Sequence, residues 1–277
     1  MNGANATRQG GRRDDELRAI AIETGVSKYA EGSALISTGD TRVLVTASVE
    51  NRVPGFLVGS GKGWLTAEYA MLPRATSTRS QREVTRGRPS GRTSEIQRLV
   101  GRALRAAIDL DRLGERTLTI DCDVLQADAG TRTAAISGGW VAAVEALAKL
   151  HLAGDLAAWP VSAQVGAISV GLVAGRPVLD LDYLEDQGAE VDFNVVATVD
   201  GRLVEVQGTG ERRTFARAEL DRLLDLALTG IAELGVHQRA AVAQSLAQVE
   251  ELAARGPRTP ARPKSERGVW GPPKSGR

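Results

Sequence analysis

Gly130, Thr131 and Arg132 combine three features that suit an anion. They stand in the stretch QADAGTRTAAISGG, between a predicted strand and a predicted helix. This places them in the first turn of the helix, where unpaired N–H groups and the positive end of the helix dipole attract negative charge. The glycine allows close approach, the threonine adds a hydroxyl donor, and the arginine binds two oxygens at once. The pattern fits phosphate or sulfate, although an ordinary capped helix explains the tripeptide equally well.

A run of arginines precedes a second predicted helix, in PRATSTRSQREVTRGRPSGRTSEIQRLVGRALR. Its first part, 74–91, has almost no apolar periodicity and predicts a long loop of the kind that is usually functional or disordered. Ser94 and Gln97 fit a capping box, so Arg92 is expected just ahead of that helix, and two helix N-termini could converge on one anion. The loop arginines are candidates for contacts with a polyphosphate backbone. They are Arg74, Arg79, Arg82, Arg86 and Arg88.

Six acids and no base lie between Asp180 and Asp192. Asp180 and Asp182 are predicted to share one face of a strand, and Asp186 and Asp192 to flank a glycine-containing turn before the next strand. Carboxylates at strand ends and turns are typical ligands for Mg²⁺ or Mn²⁺, and one of them can act as a general acid. A solvated acidic hairpin is the alternative interpretation.

The composition argues against several classes of catalytic mechanism and ligand recognition. The net charge is +1, yet 30 of the 35 basic residues are arginine, and none of these lies in 133–175. High-GC codon usage explains the arginine content but not its clustering. One Cys and two His argue against a disulfide framework and against histidine-dependent catalysis, and no GxSxG elbow or Walker A loop is present. With 4% aromatic residues, base stacking is a minor source of affinity, so the expected ligand is a nucleic-acid backbone. A phosphate ion held in the pocket could itself attack a phosphodiester and release a nucleoside diphosphate.

The pattern of elements predicts an α+β fold. Hairpins are expected to turn at Gly39–Asp40, Ala174–Gly175 and Asp200–Gly201, with a further strand over 117–126. Helices are expected from about Ser94 and over 131–150, 217–234 and 237–254. The second half, 160–254, reads as a divergent repeat of 14–150, and the two pack as one domain over 14–254.

The two ends of the chain differ from this domain in composition. Residues 1–13 are expected to be mobile, and 255–277, which are basic and proline-rich, to be disordered. The sequence shows no secretory signal and no stretch suited to crossing a membrane, which predicts a cytoplasmic protein.

Several long motifs resemble ribonuclease PH, a bacterial family of phosphate-dependent 3′→5′ exoribonucleases. They include KYAEGSALISTGDTRVLVTASVE, GRTSEIQRLVGRALRAAIDL, TIDCDVLQADAGTRTAAISG and DLDYLEDQGAEVDFNVV, and with others they run from about residue 10 to 250. The resemblance implies a duplicated fold like the second domain of ribosomal protein S5 and a homo-hexamer, a trimer of dimers. It also implies removal of nucleotides beyond the CCA end of tRNA precursors. The reaction is reversible, so it can also be described as a tRNA nucleotidyltransferase.

The resemblance further implies roles for individual residues. Phosphate, the co-substrate, would be bound by Arg92, Gly130, Thr131 and Arg132, and Asp186 and Asp192 would be the catalytic acids and would hold Mg²⁺ or Mn²⁺. Arg74, Arg79 and Arg82 match loop arginines linked to tRNA binding and ring assembly. Which acid binds metal and which gives the proton stays open.

Two other functions remain to be weighed. A catalytically silent, RNA-binding ring subunit is the main alternative, but such subunits tend to lose the phosphate arginines or the acids, and both sets are present here. A hydrolytic metal nuclease would act without phosphate.

Overall fold

The structure, a computed structural model, describes residues 8–255, apart from the side chains of Gln9, Val84 and Arg86. Residues 1–7 and 256–277, most of the two segments expected to be mobile or disordered, lie outside the described residues. The strands are β1 (Ile20–Thr24), β2 (Gly32–Thr38), β3 (Thr41–Glu50), β4 (Trp64–Met71), β5 (Thr117–Gln126), β6 (Val165–Val173), β7 (Arg176–Leu179), β8 (Val191–Thr198) and β9 (Leu203–Thr209). The helices are α1 (Gly91–Arg105), α2 (Leu110–Leu113), α3 (Thr131–Ala153), α4 (Tyr183–Gly188), α5 (Arg217–Ala241) and α6 (Ala243–Ala254).

The strands form two sheets, one from each half of the chain. The first has the order β1-β2-β3-β5-β4, and the second has the order β7-β6-β8-β9. Neighbouring strands are antiparallel except for β4 and β5, which run parallel. All three expected hairpins are present, as β2–β3, β6–β7 and β8–β9, and the strand expected over 117–126 is β5. The α+β prediction is thus confirmed.

Helix α3 lies between the sheets and joins the two halves. It packs on β2 and β3 of the first sheet and on β6 of the second. Nearly all of its residues up to Ala148 are buried, as expected for a helix that is apolar on every side. Small residues permit this packing, since a Cβ added at Gly138 would lie 2.8 Å from Cγ2 of Ile36. Because α3 is fixed on both sheets, its N-terminus is a rigid position at the junction of the halves.

Two predicted element boundaries were wrong. Ser94 and Gln97 do not start α1: the Oγ of Ser90 accepts a 3.1 Å hydrogen bond from the N–H of Thr93 and caps the helix there. Helix α5 continues through the expected break near 235 to Ala241, because the buried amide of Gln238 donates hydrogen bonds to the carbonyls of Ser137 and Val165.

Residues 8–13, which were expected to be mobile, instead pack against the second half. Arg8 is only 6% exposed and forms a 2.7 Å ion pair with Glu185 of α4. Arg12 lies 3.3 Å from the same carboxylate. Composition suggested mobility because the segment is polar, but its arginines find buried acidic partners that are distant in sequence. Within 8–255, no helix combines the length and apolar character needed to cross a membrane.

Candidate phosphate and acid site

A cavity of about 1200 Å³ opens between the two halves of the molecule. Its first-half lining comes from the loop after β4 and from the N-terminal turns of α1 and α3. Its second-half lining comes from α4, β8 and β9. It contains six of the residues expected to act, which are Arg92, Gly130, Thr131, Arg132, Asp186 and Asp192. The fold therefore brings together side chains that are up to 100 positions apart in the sequence.

The loop that joins β5 to α3 forms one wall of the cavity. Gly130 is the N-cap of α3 with φ +62°, a conformation that favours glycine, and Thr131 and Arg132 begin the helix. Thr41 of β3 holds this turn in place. Its hydroxyl donates a 2.6 Å hydrogen bond to the carbonyl of Ala129 and accepts one of 2.9 Å from the N–H of Asp128. The turn thus presents a helix N-terminus to the cavity, as expected.

Arg92 reaches the cavity from the opposite helix. It is the second residue of α1, inside the first turn and not ahead of the helix as expected, because Ser90 provides the cap. The carboxylate of Glu83 supports this start by accepting hydrogen bonds from the N–H of Ser90 and from the hydroxyl of Thr93, at 3.2 and 2.8 Å. Two helix N-termini, each with an arginine, therefore face one space, an arrangement that suits a multiply charged anion.

The two acids occupy different elements from those expected. Asp186 lies on α4, not in an open turn, and Asp192 is the second residue of β8. Asp180 and Asp182 do not share a strand face, because β7 ends at Leu179 and Asp182 is the N-cap of α4. A capping box with Glu185 explains the helix, which the sequence analysis missed. Of the four aspartates, Asp186 and Asp192 line the cavity.

The environment of the acids raises the pKa of both carboxyl groups. Burial and the negative charge of Asp186 raise the pKa of Asp192 to about 6, against the opposing charge of Arg132. Desolvation also raises the pKa of Asp186, which Arg92 and Arg132 partly offset. Perturbed carboxyl groups in a cleft are typical of functional sites.

The same two acids fit a divalent cation. Oδ1 of Asp192 is buried and has no hydrogen-bond partner in the part of the chain that the structure describes, so it is available as a ligand. Across residues 8–255 no group of three or more His, Cys, Asp or Glu side chains is arranged to hold a metal by itself. Mg²⁺ commonly uses one or two carboxylates and completes its shell with water and substrate phosphates. Asp186 and Asp192 are the candidate ligands for that mode of binding.

The loop arginines lie outside the cavity lining. Arg74, Arg79 and Arg82 are exposed, whereas Thr76, Ser77 and Thr78 of the same loop line the cavity. Arg88 is also exposed, and the side chain of Arg86 lies outside the described part.

A polar network around Arg132 was not predicted. Its Nη1 donates a 3.3 Å hydrogen bond to Oε1 of Gln207 on β9 and lies 4.0 Å from Glu95 of α1. Nε2 of Gln207 donates in turn to Glu95, at 2.8 Å. Glu95 could have been found, because it lies three residues after Arg92 and so on the same helix face. Gln207 carries no local signal, since only tertiary packing brings β9 to α3.

Comparison with known families and solved structures shows what this chain is similar to. The 3′ exoribonuclease family, domain 1 (RNase PH), matches residues 16–149, and domain 2 of the same family matches residues 163–230. Among solved structures, an Archaeoglobus fulgidus exosome with RNA bound to the active site matches with a TM-score of 0.71 and 23% identity, over 83% of this chain and 92% of that one.

Two further solved structures have a fold similar to that of this chain. Rice (Oryza sativa) Rrp46 matches with a TM-score of 0.68 and 18% identity, over 84% of this chain and 98% of that one. An archaeal exosome core matches with a TM-score of 0.67 and 22% identity, over 84% of this chain and 91% of that one. These likenesses confirm the expected fold, which resembles the second domain of ribosomal protein S5. The two domain matches span well over half of the sequence, and the chain therefore belongs to the 3′ exoribonuclease (RNase PH) family.

Proposed function

We propose that this chain is a phosphate-dependent 3′→5′ exoribonuclease that removes nucleotides beyond the CCA end of tRNA precursors and releases nucleoside diphosphates. The observation that carries the proposal is the shared cavity: Arg92 and the Gly130–Arg132 turn line it together with Asp186 and Asp192. An anion site facing a pair of carboxyl groups provides both a nucleophile and the means to assist a leaving group.

The phosphate ion takes the place of a protein nucleophile. Held by Arg132, Arg92 and the N–H groups of α3, one of its oxygens attacks the phosphorus of the terminal phosphodiester. A new P–O bond forms to phosphate, and the bond from phosphorus to the 3′ oxygen of the preceding nucleotide breaks. That oxygen receives a proton from one of the two carboxyl groups and becomes the new 3′ hydroxyl. The products are a nucleoside diphosphate and an RNA shorter by one residue, and the reverse reaction makes the enzyme a tRNA nucleotidyltransferase.

The protein supplies position and charge in this reaction. Arg132 is held between Gln207 and Glu95, which restricts its rotamers before the anion binds. Two arginines and a helix N-terminus offset the charge that builds up on the phosphate oxygens. Mg²⁺ or Mn²⁺ bound by Asp186 and Asp192 would supply further neutralisation of charge at the phosphodiester.

RNA contacts outside the cavity complete the proposal. Arg74, Arg79 and Arg82 are exposed on the loop beside the cavity, and with Arg86 they are assigned to the RNA backbone. One such loop is a weak clamp for a folded tRNA, so neighbouring copies in a homo-hexamer, a trimer of dimers, would add theirs. Sedimentation should give a hexamer, and a fully active monomer would contradict the ring. We propose that the enzyme acts on tRNA precursors in the cytoplasm.

A catalytically silent ring subunit is the alternative, and the retained residues argue against it. The phosphate arginines and both acids are present and share the cavity. A silent subunit has no need of two carboxyl groups whose pKa values are raised by burial in a shared cavity.

The test uses a tRNA with extra 3′ nucleotides. Purified protein with Mg²⁺ should shorten it only when inorganic phosphate is present, and the released mononucleotides should be diphosphates. Equal shortening without phosphate, or release of monophosphates, would indicate a hydrolytic nuclease. RNA binding without any shortening would support the silent subunit.

A further inference from the structure

Arg18, just before β1, is a buried cation that none of the proposed steps uses. Its side chain is 6% exposed. Nε and Nη2 donate hydrogen bonds to the two carboxylate oxygens of Asp180, at 3.0 and 2.7 Å, and its backbone N–H donates a third, at 2.8 Å. The planar fork of the guanidinium is therefore fixed on the second half of the molecule.

The remaining nitrogen of the Arg18 guanidinium contacts the turn 128–130, which leads into α3 in the first half. Nη1 donates to the carbonyl of Asp128 and lies 3.6 Å from the Asp128 carboxylate. Nη2 packs under the turn, since a Cβ added at Gly130 would lie 3.0 Å from it. One guanidinium group thus spans from Asp180 to the residues that lead into the N-terminus of α3.

Asp180 is itself held firmly, which makes it a fixed anchor. Its backbone has φ +53°, and its side chain is almost fully buried. Its carbonyl accepts hydrogen bonds from Arg8 and Arg12, at 3.1 and 3.0 Å, and its N–H donates one of 2.8 Å to Ser169. The N-terminal segment and β6 of the second half therefore both resist movement of Asp180.

We propose that Arg18 is a positioning residue that sets the turn 128–130 for phosphate, by tying the Asp128 carbonyl to the anchored Asp180. The inference rests on the proposed function and deepens it. Arg18 does not touch phosphate. It acts by holding the N–H groups of α3 and the side chain of Arg132 in a geometry that fits the anion.

Arg18→Lys separates positioning from simple ion pairing. A lysine ammonium can still neutralise the buried Asp180, but it lacks the fork that reaches Asp180 and the Asp128 carbonyl together. We expect the KM for phosphate to rise about tenfold, because one hydrogen bond with a charged partner contributes a free energy equivalent to a factor of about that size. The KM for RNA should change less than about twofold. If the ion pair alone mattered, Arg18→Lys would keep the wild-type KM for phosphate.

Arg176→Lys is the control. Arg176 of β7 also bonds a carboxylate that is distant in sequence, that of Asp14, at 2.9 and 3.0 Å, and it belongs neither to the contacts that hold Asp180 nor to the turn. It should leave the KM for phosphate unchanged. If Arg18→Lys fails to fold, the double variant Arg18→Met with Asp180→Asn removes both charges and should show the same rise in the KM for phosphate.

Phosphate binding gives a readout without turnover. Phosphate without RNA should raise the melting temperature of the wild type and of Arg176→Lys, and Arg18→Lys should need about tenfold more phosphate for the same shift. Equal phosphate dependence of wild type and Arg18→Lys would overturn the inference. Wild-type activity that needs no phosphate would instead overturn the proposed function, so the two failures are distinguishable.

Discussion

The hydroxyl of Tyr69 on β4 donates a 2.8 Å hydrogen bond to Oγ1 of Thr131, in the first turn of α3. Tyr69 is 4% exposed, and burial raises the pKa of its hydroxyl, which keeps the proton on it. Because Oγ1 of Thr131 accepts from Tyr69, its own hydrogen is free to point at a ligand in the cavity. The strand order of the first sheet, which puts the edge strand β4 beside β5, thus directs the hydroxyl hydrogen of one candidate phosphate donor.

Tyr69→Phe should weaken phosphate binding selectively. Without the tyrosine proton, the threonine hydroxyl has no fixed donor and can rotate away from the anion. We expect the KM for phosphate to rise about 3- to 10-fold, the equivalent of one hydrogen bond, with little change in the KM for RNA. Steady-state kinetics at varied phosphate measures this. Tyr29→Phe, at a residue 89% exposed, is the control, and an equal effect in both variants would refute the assignment.

Arg132→Ala should abolish most activity while the fold remains intact. The side chain of Arg132 is 19% exposed and lines the cavity, so its removal leaves no large void in the core. Loss of one preorganised donor to developing charge costs about 10²- to 10³-fold in kcat. Single-turnover assays together with circular dichroism test this. Arg217→Ala, on the exposed start of α5, should behave as wild type, and unchanged turnover of Arg132→Ala would remove it from the site.

Asp192→Asn should stabilise the protein while inactivating it. The pKa of Asp192 is raised to about 6 from its ordinary 3.8, so the folded state holds its proton more tightly than the unfolded chain does. The stability that this tighter proton binding contributes is present below pH ~4 and is lost as the pH rises through ~6. In the presence of a chelator, the asparagine should therefore gain about 1–3 kcal/mol over wild type at pH 7.5 and almost nothing at pH 4. Melting temperatures at the two pH values measure this, and a less stable variant at pH 7.5 would contradict it.

Replacing Arg79 and Arg82 together by Gln should weaken RNA binding through loss of charge alone. Both are exposed beside the cavity. The affinity for a tRNA precursor should fall, and the slope of log K against log salt should become shallower by about 1.4 for two phosphate contacts. The KM for phosphate should not change. Arg222→Gln, on the exposed face of α5, is the control. An unaltered salt slope in the double variant would place the RNA elsewhere.

Local signals in the sequence predicted most of the elements. The hairpin turns at Gly39–Asp40, Ala174–Gly175 and Asp200–Gly201 were found, as was the alternation of β5, because they depend on neighbours in sequence. The cap at Ser90 was assigned to Ser94 instead, since both serines precede a helical pattern and only the contacts of Glu83 favour the first.

Tertiary contacts account for what the sequence did not predict. Arg8 was assigned to the mobile N-terminal segment and Arg18 carried no prediction, yet each is buried against an acid more than 160 positions away. Tyr69 likewise meets Thr131, and Gln207 meets Arg132, only through strand order and packing. Arg92, Gly130 and Arg132 could be predicted to share an anion site because arginine and glycine at helix starts carry a chemical meaning of their own. The choice of Asp186 and Asp192 over Asp180 and Asp182 came from the resemblance to ribonuclease PH.

The origin of the new phosphate group tests the account most directly. The protein is incubated with Mg²⁺, an unlabelled 3′-extended tRNA and ³²P-labelled inorganic phosphate, and the released mononucleotides are separated. The account predicts that the label appears in the terminal phosphate of nucleoside diphosphates, one label per nucleotide removed. Unlabelled nucleoside monophosphates, released at the same rate without phosphate, would contradict it.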